Sequence, residues 1–430
     1  MDLNIKKLEN CKREFTAELN YQELIPHFDV ALVEYRKKIS IPGFRKGKAP
    51  INMVKKLYAD SIEYSALEDI ANDVFIHYLD DNHIHIIDKG NLTDIDYKPK
   101  EKLTFNIVFE VIPEVELHNY KNLSLTRDKY LINDSIIDDE IKNIRFNFAQ
   151  YELDGEALDD EYRITIDSQG LDDSGNIIIG DATKDMKIYL GNKNMFPEFK
   201  EGLKNIKENE ERIIDTKNSE GKPKKIRITC TKVEKILYPE LNEEFFKKAT
   251  GKEFKTSEEF RNYIKDEITN YYVNISEKKL EKDIINEIIK ENEIEIPEKF
   301  VERILGGYWE DYTKMYKKAK LTEEDQKEYK KSRRVDAIVQ AKWFFFREKL
   351  IELEKIEVSD EDYIDFAEKN IKLYNLPMTP EVLVKTYKEN RDVNYSILED
   401  KIFKYLIGNS EITDSEKDLS KSNSEEEIIS

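Results

Sequence analysis

The chain has 430 residues, 37% of them charged and 39% hydrophobic, with a formal net charge of −20; this predicts about two to four domains with extensive solvated helical surface rather than one globule. Such acidity argues against nucleic-acid binding over the whole surface, DNA included, and no apolar run approaches the ~20 residues of a membrane span. Cys11 and Cys230 stand alone, without a disulfide pattern, and the N-terminal MDLNIKKLENCKREF has no apolar signal-peptide core, so a reducing, cytoplasmic location is expected.

In chain order, Phe15, Ala17 and Leu19 alternate with polar residues and predict a strand with one buried face. Helical spacing takes over from Tyr21 to Lys38, where Leu24, Phe28, Ala31, Leu32 and Tyr35 share a stripe. Pro26 is expected in the first turn, where its missing N–H is tolerated. After a loop, Pro50 opens a short helix with Ile51, Val54 and Leu57. A longer helix is expected from about Ser61 to Asp81, with Ile62, Ala66, Ile70, Val74, Ile76 and Leu79 as core. Leu103, Phe105, Ile107, Phe109 and Val111 alternate as a further strand. Residues 1–113 are therefore expected to form an α+β layer, helices on an antiparallel sheet. His83 and His85 would share a strand face, as metal ligands can. No acid or cysteine of ligand spacing completes a site, so neither a metal nor any other cofactor is expected.

The loop between those helices is IPGFRKGKAP, Ile41 to Pro50. Pro42-Gly43 is a turn dipeptide and Gly47 a second point of backbone freedom. Arg36, Lys37, Lys38, Arg45, Lys46, Lys48, Lys55 and Lys56 bring eight positive charges and no acid between positions 36 and 56. An acidic chain that gathers cations on one loop is expected to meet something anionic there. GFRKGKAP, set between two amphipathic helices, resembles the ribosome-binding loop of the trigger factor family, bacterial chaperones that meet nascent chains at the exit tunnel. The resemblance implies that Gly43, Phe44, Arg45, Lys46, Gly47 and Lys48 bind the large ribosomal subunit.

Residues 114–153 are too long for a simple linker. Leu123 and Leu125 alternate, and Ile136, Ile137, Ile141, Ile144 and Phe148 suggest a helix. The resemblance implies that this segment packs with the C-terminal region. From 154 to 237 short strands and turns follow one another: Tyr162, Ile164 and Ile166; Ile177 to Ile179; Met186, Ile188 and Leu190; then Arg212 to Asp215 and Ile226 to Ile236. This order, with MFPEFKEGL (Met195–Leu203) as a turn into a short helix, resembles the FKBP-type prolyl isomerase domain of trigger factors, a small antiparallel β domain. Three segments carry the likeness: ITIDSQG, LGNKNMFPEFKEGL and KKIRITCTKVEKILYPELNEEF. The aromatic pocket departs from the family. Ser168 and Met195 replace Phe, Glu198 replaces Gly, and DTKNSEGKPKK (Asp215–Lys225) replaces a loop bearing a Tyr. Phe196 and Phe199 are the residual candidates for an isomerase floor, and weak or absent isomerase activity is expected.

Residues 238–409 read as all-α. Phe260, Tyr263, Ile264, Ile268, Tyr271, Tyr272 and Ile275 recur at helical steps, continued by Leu280, Ile284, Ile285, Ile288 and Ile289. NEIEIPEKF resembles the family's break between long helices. Helices are then expected over Phe300–Ala319, Asp325–Ile356, Ser359–Tyr374 and Thr379–Ile407, the third opening at Ser359 with Asp362 three positions on. Aromatics dispersed among charges suit the arms of a chaperone cavity, as the resemblance implies. The tail, 410–430, has seven acids against two lysines after Ser410 and is expected to be disordered.

The expectation is an ATP-independent chaperone that docks at the ribosomal exit tunnel and holds nascent and unfolded chains, with a homodimer off the ribosome left open. Two alternatives stand beside it: an active FKBP-type isomerase acting on newly made proteins, and a non-ribosomal structural adaptor.

Overall fold

In the computed structural model, which describes residues 1–419 apart from 173, 193, 218–222, 318–319 and 375, the first apolar alternations build a four-stranded antiparallel sheet. Its strands are β1 (Asp2–Lys7), β2 (Lys12–Asn20), β3 (Asn91–Lys98) and β4 (Lys102–Glu110), in the order β1-β2-β4-β3. Phe15 lies opposite Ile107, Ala17 opposite Phe105 and Leu19 opposite Leu103, so one face is wholly apolar. Two helices cover it. α1 (Tyr21–Lys38) contributes Leu24 and Phe28, and α2 (Ile51–Asp81) contributes Ala66 to Leu79. Each large side chain buried here contributes about 1.5–3 kcal/mol.

Three local expectations change. Leu57 to Ser61 contains no glycine or proline, so the two expected helices after the loop are one helix of 31 residues. Asn20 and Glu23 form a reciprocal capping box that starts α1 at Tyr21. This puts Pro26 beyond the first turn, and the helix runs through it with one rung missing. His83 lies in a left-handed turn after α2, at φ 54°, so the His83–His85 pair does not share a strand face. Among the described residues no group of three or more His, Cys, Asp or Glu could hold a metal ion.

β5 (Ser124–Leu131) and α3 (Asp134–Asn147) follow. A second antiparallel sheet is then made by β6 (Gln150–Asp154), β7 (Tyr162–Leu171), β8 (Ile177–Tyr189), β9 (Glu211–Lys217) and β10 (Pro223–Leu237), with α4 (Pro197–Gly202) between β8 and β9. The order is β6-β10-β7-β8, and β9 also pairs with β10. Ile164, Ile166, Ile228, Cys230 and Val233 are fully buried in its core. The sheet takes in Gln150–Asp154, which lies opposite Val233–Leu237, four residues ahead of the boundary expected at 154. The two short apolar runs expected between 177 and 190 are one strand of 13 residues, irregular where its register against β7 shifts.

The remaining helices are α5 (Glu243–Thr250), α6 (Ser257–Glu291), α7 (Glu298–Met315), α8 (Glu323–Ser332), α9 (Arg334–Glu354), α10 (Asp360–Tyr374), α11 (Pro380–Lys388) and α12 (Arg391–Gly408). Thr379–Ile407 is thus two helices. Asn390 accepts from the Asp392 N–H and caps the second of them, a role for which asparagine is suited. Asp325–Ile356 is likewise broken, at Arg333 between α8 and α9. The start of the acidic tail is ordered, against expectation: β11 (Glu411–Asp418) pairs with β5, and Arg127 meets Asp414 at 2.7 Å. Local charge predicted solvation there, but a strand partner and opposite charges stood far away in sequence. Residues 420–430 lie outside the described set.

The chain divides into two compact units, Met1–Thr126 with Lys279–Thr413, and Arg127–Lys278 with the residues from Asp414. In the first, Leu123 and Leu125 join Leu280, Ile284, Trp343, Phe346 and Phe403 in one cluster. In the second, Ile137 and Ile141 of α3 join Phe245, Phe246 and Phe260. Within the first unit, Glu110 at the end of β4 is buried, and its carboxylate accepts the Lys299 N–H at 2.9 Å. It thereby caps α7, whose N-cap residue Pro297 has no side-chain acceptor. The Cys11 thiol donates to the Glu295 carbonyl at 3.3 Å beside it, and burial pushes this thiol up to about 11.

A second tie in that unit is Glu354. Lys121 Nζ lies 2.8 Å from its carboxylate, and the Tyr120 and Tyr405 hydroxyls donate to it. These contacts, Lys121 first, pull the carboxyl from 4.5 down to about 2. A depressed carboxyl adds stability that is complete above its unfolded value and is lost as pH falls through the folded one. Glu354→Gln is therefore expected to cost about 1–2 kcal/mol at neutral pH. The difference from wild type should close between pH 4.5 and about 2, as read by urea midpoints across that range. A difference that stays constant with pH would assign the loss to packing alone.

Candidate functional site

The basic loop is held by apolar anchors at both ends. α1 closes with the Ile39 N–H donating to the Tyr35 carbonyl at 3.1 Å. Ile41 then turns inward, as does Ala49 on the return, and both are buried with Leu32, Val54 and Ile62. The Tyr35 and Tyr58 rings, centroids 5.9 Å apart, pack on the same cluster. Sequence reasoning missed Ile41 and Ala49. Their signal was the apolar spacing of α1 and of the first turns of α2, which points a shared cluster at the base of the loop.

Between the anchors, Phe44, Arg45, Lys46 and Lys48 are exposed and Gly47 is half-buried. Phe44 keeps 39% of its surface in solvent and belongs to none of the buried apolar clusters. The charge is less one-sided than the eight cations suggested. Lys37 is paired with Glu34 at 2.5 Å and Lys55 with Asp29 at 3.4 Å; Lys37 holds the Glu34 carboxyl below its usual range. Glu34 lies three residues before Lys37 and was legible as a helical pair. Asp29 meets Lys55 only because α1 and α2 lie side by side. Among the described residues, Arg36, Lys38, Arg45, Lys46, Lys48 and Lys56 have no ion pair, and Arg36 Nε is buried without an acceptor. The arrangement can do two things chemically: neutralise anionic groups at the tip and seat one aromatic ring.

The residues singled out in the second sheet are placed differently. Phe196 is the N-cap residue of α4 and 42% exposed, whereas Phe199 is half-buried on the core of the sheet. Leu203 and Ile206, both fully buried, fill the space next along. Ser168 sits on β7 opposite Thr183 and Ile228. Glu198, next to Phe199, pairs with Lys217 of β9 at 3.4 Å. Most of the Asp215–Lys225 stretch is strand: Asp215, Thr216 and Lys217 lie opposite Lys225, Lys224 and Pro223, and residues 218–222 lie outside the described set.

Comparison with known proteins accounts for most of the chain. The family model for bacterial trigger factor protein matches residues 1–144, and the model for its C-terminus matches residues 256–408. A trigger factor of Actinobacillus pleuropneumoniae serotype 3 is 30% identical over 305 residues, which cover 69% of this chain and 70% of that protein. Trigger factors of Chloroherpeton thalassium and Prosthecochloris aestuarii are 25% and 26% identical, covering 96% and 98% of this chain and 97% and 100% of theirs. A solved structure described as "Promiscuous Substrate Recognition in Folding and Assembly Activities of the Trigger Factor Chaperone" covers 95% of this chain and 99% of that chain at 18% identity, with a TM-score of 0.47. The sequence matches alone suffice, at that identity and over that share of both proteins: this chain belongs to the trigger factor family.

Proposed function

We propose that the chain docks at the exit tunnel of the large ribosomal subunit through Phe44, Arg45, Lys46 and Lys48. Membership of the family makes it a ribosome-associated chaperone that binds nascent chains, and neither the isomerase nor the adaptor reading is favoured. The observation that carries the docking site is the exposed tip itself: an apolar ring and three cations without an ion pair among the described residues, on buried anchors. The cations would meet rRNA phosphates or acidic side chains, and Phe44 would fill an apolar notch at the rim.

The rest of the proposed organisation follows the sequence division, with 1–113 as ribosome-binding, 154–237 as isomerase-like and 238–409 as the holding region. Exposed apolar residues such as Tyr271, Met315, Tyr316 and Val335 stand among charges in that last region, which suits weak contact with unfolded chains. No helix among the described residues is long and apolar enough to cross a membrane, and the proposed location is the cytoplasm.

The test is equilibrium binding to purified large ribosomal subunits over a range of salt. Log affinity should fall linearly with log salt, by about 0.7–0.9 per phosphate neutralised. Binding that ignores salt would remove the electrostatic docking site.

A further inference from the structure

The loop is two turns of the same kind, laid end to end. Ile41-Pro42-Gly43-Phe44 is closed by the Phe44 N–H donating to the Ile41 carbonyl at 3.0 Å, with Gly43 at φ 88°. Arg45-Lys46-Gly47-Lys48 is closed by the Lys48 N–H donating to the Arg45 carbonyl at 2.9 Å, with Gly47 at φ 75°. A positive φ at the third residue is the type II arrangement, which glycine adopts at no steric cost. The Gly47 N–H also donates back to the Ile39 carbonyl at 3.4 Å, at the end of α1. Every residue from Ile41 to Ala49 is therefore part of a closed turn or a buried anchor. Phe44 and Arg45 are the junction between the turns and Lys46 is the second residue of the latter, so their directions follow from the two corners.

We propose that Gly43 and Gly47 are positioning residues for ribosome docking: their left-handed corners hold Phe44, Arg45 and Lys46 in one arrangement before the ribosome is met. A loop that had to be ordered on contact would give back part of the strength of each contact. The inference rests on the docking reading above and adds to it a source of affinity that lies in no contact atom.

Gly43 is the clean probe, because a Cβ there would meet nothing within 4 Å. A substitution then acts through the backbone alone. Asparagine tolerates the left-handed region, whereas a β-branched residue is strongly disfavoured in it. Full-length wild type, Gly43→Val, Gly43→Asn and the Phe44→Ala, Arg45→Ala, Lys46→Ala triple variant are to be compared for binding to purified large ribosomal subunits at several salt concentrations, with melting curves alongside. Gly43→Val is expected to bind about tenfold more weakly, with an unchanged salt slope, since only the fraction of correctly shaped loop falls. Gly43→Asn is expected to stay within about threefold of wild type, and melting is expected to fall by no more than about 2–4 °C in any variant.

Wild-type affinity of Gly43→Val beside a triple variant that no longer binds would overturn the positioning role and leave the docking site standing. Equal losses for valine and asparagine would also overturn it, by assigning the effect to bulk at the ribosome surface. Wild-type binding by the triple variant would overturn the docking site, and this inference with it.

Discussion

Replacement of Phe44, Arg45 and Lys46 together by alanine is expected to abolish co-sedimentation with ribosomes, a loss of at least about a hundredfold in affinity. Each residue contributes in its own way. Phe44 offers an exposed ring whose burial against the ribosome would be lost. Arg45 and Lys46 have no acidic partner within the chain among the described residues, so no internal ion pair competes with an external anion. Removing both should flatten the salt dependence by nearly two contacts' worth, about 1.4–1.8 in the log–log slope. The fold should not change. The three residues belong to none of the buried clusters, and Ile41 and Ala49 still close the base of the loop. Measured by sedimentation through a sucrose cushion with a melting curve as control, an equally stable triple variant that still pellets with ribosomes would exclude this loop as the docking site.

The second large effect is expected from an assay that should show almost nothing. Uncatalysed X-Pro exchange takes tens to hundreds of seconds, so even weak catalysis is easily seen against it. An FKBP-type site lowers a barrier of ~18–20 kcal/mol by holding the twisted amide in a dry aromatic cleft, with no acid or base. The resemblance read in the sequence would put such a site at Phe196 and Phe199; there Phe196 is 42% exposed, Glu198 is paired with Lys217, and Thr216 and Lys217 lie opposite Lys224 and Pro223. Charged groups on a wet rim stabilise the planar and the twisted amide alike, and only differential binding accelerates the reaction. Exchange NMR on a proline tetrapeptide is therefore expected to give rates close to the uncatalysed ones. Efficient turnover that disappears in Phe199→Ala, with melting unchanged, would show a working pocket.

Where one physical signal dominates, the sequence is easily read. β2 and β4 alternate without interruption because one whole face is buried, and α1 repeats cleanly because it lies across that face. The elements that were missed carry weaker signals. β1 and β3 are edge strands with only half-buried apolar residues, and β3 is further broken by a register shift between Leu92 and Asp94. The helix breaks near Arg333 and Asn390 have no glycine or proline to announce them. In the candidate site, turn chemistry and charge are local properties, so Pro42, Gly43, Gly47 and the cations were all legible. The Asp29–Lys55 pair was not, because it exists only once α1 and α2 pack together. The same holds for Phe196 and Phe199: three residues apart on a short helix, they differ in burial for reasons set by Leu203, Ile206 and the sheet beneath.

The cap that Glu110 gives to α7 links positions 189 apart in the chain, and that distance becomes a delay during synthesis. At about 5–20 residues per second, Lys299 follows Glu110 by roughly 10–40 seconds. The first sheet and its two helices enclose their own core and can fold as soon as they emerge. Cys11 and Glu110 cannot make their contacts with Glu295 and Lys299 until those residues arrive, so a carboxylate destined for burial waits in water, where leaving it costs nothing. A chaperone for emerging chains thus passes through the same interval of unfinished surface as its clients.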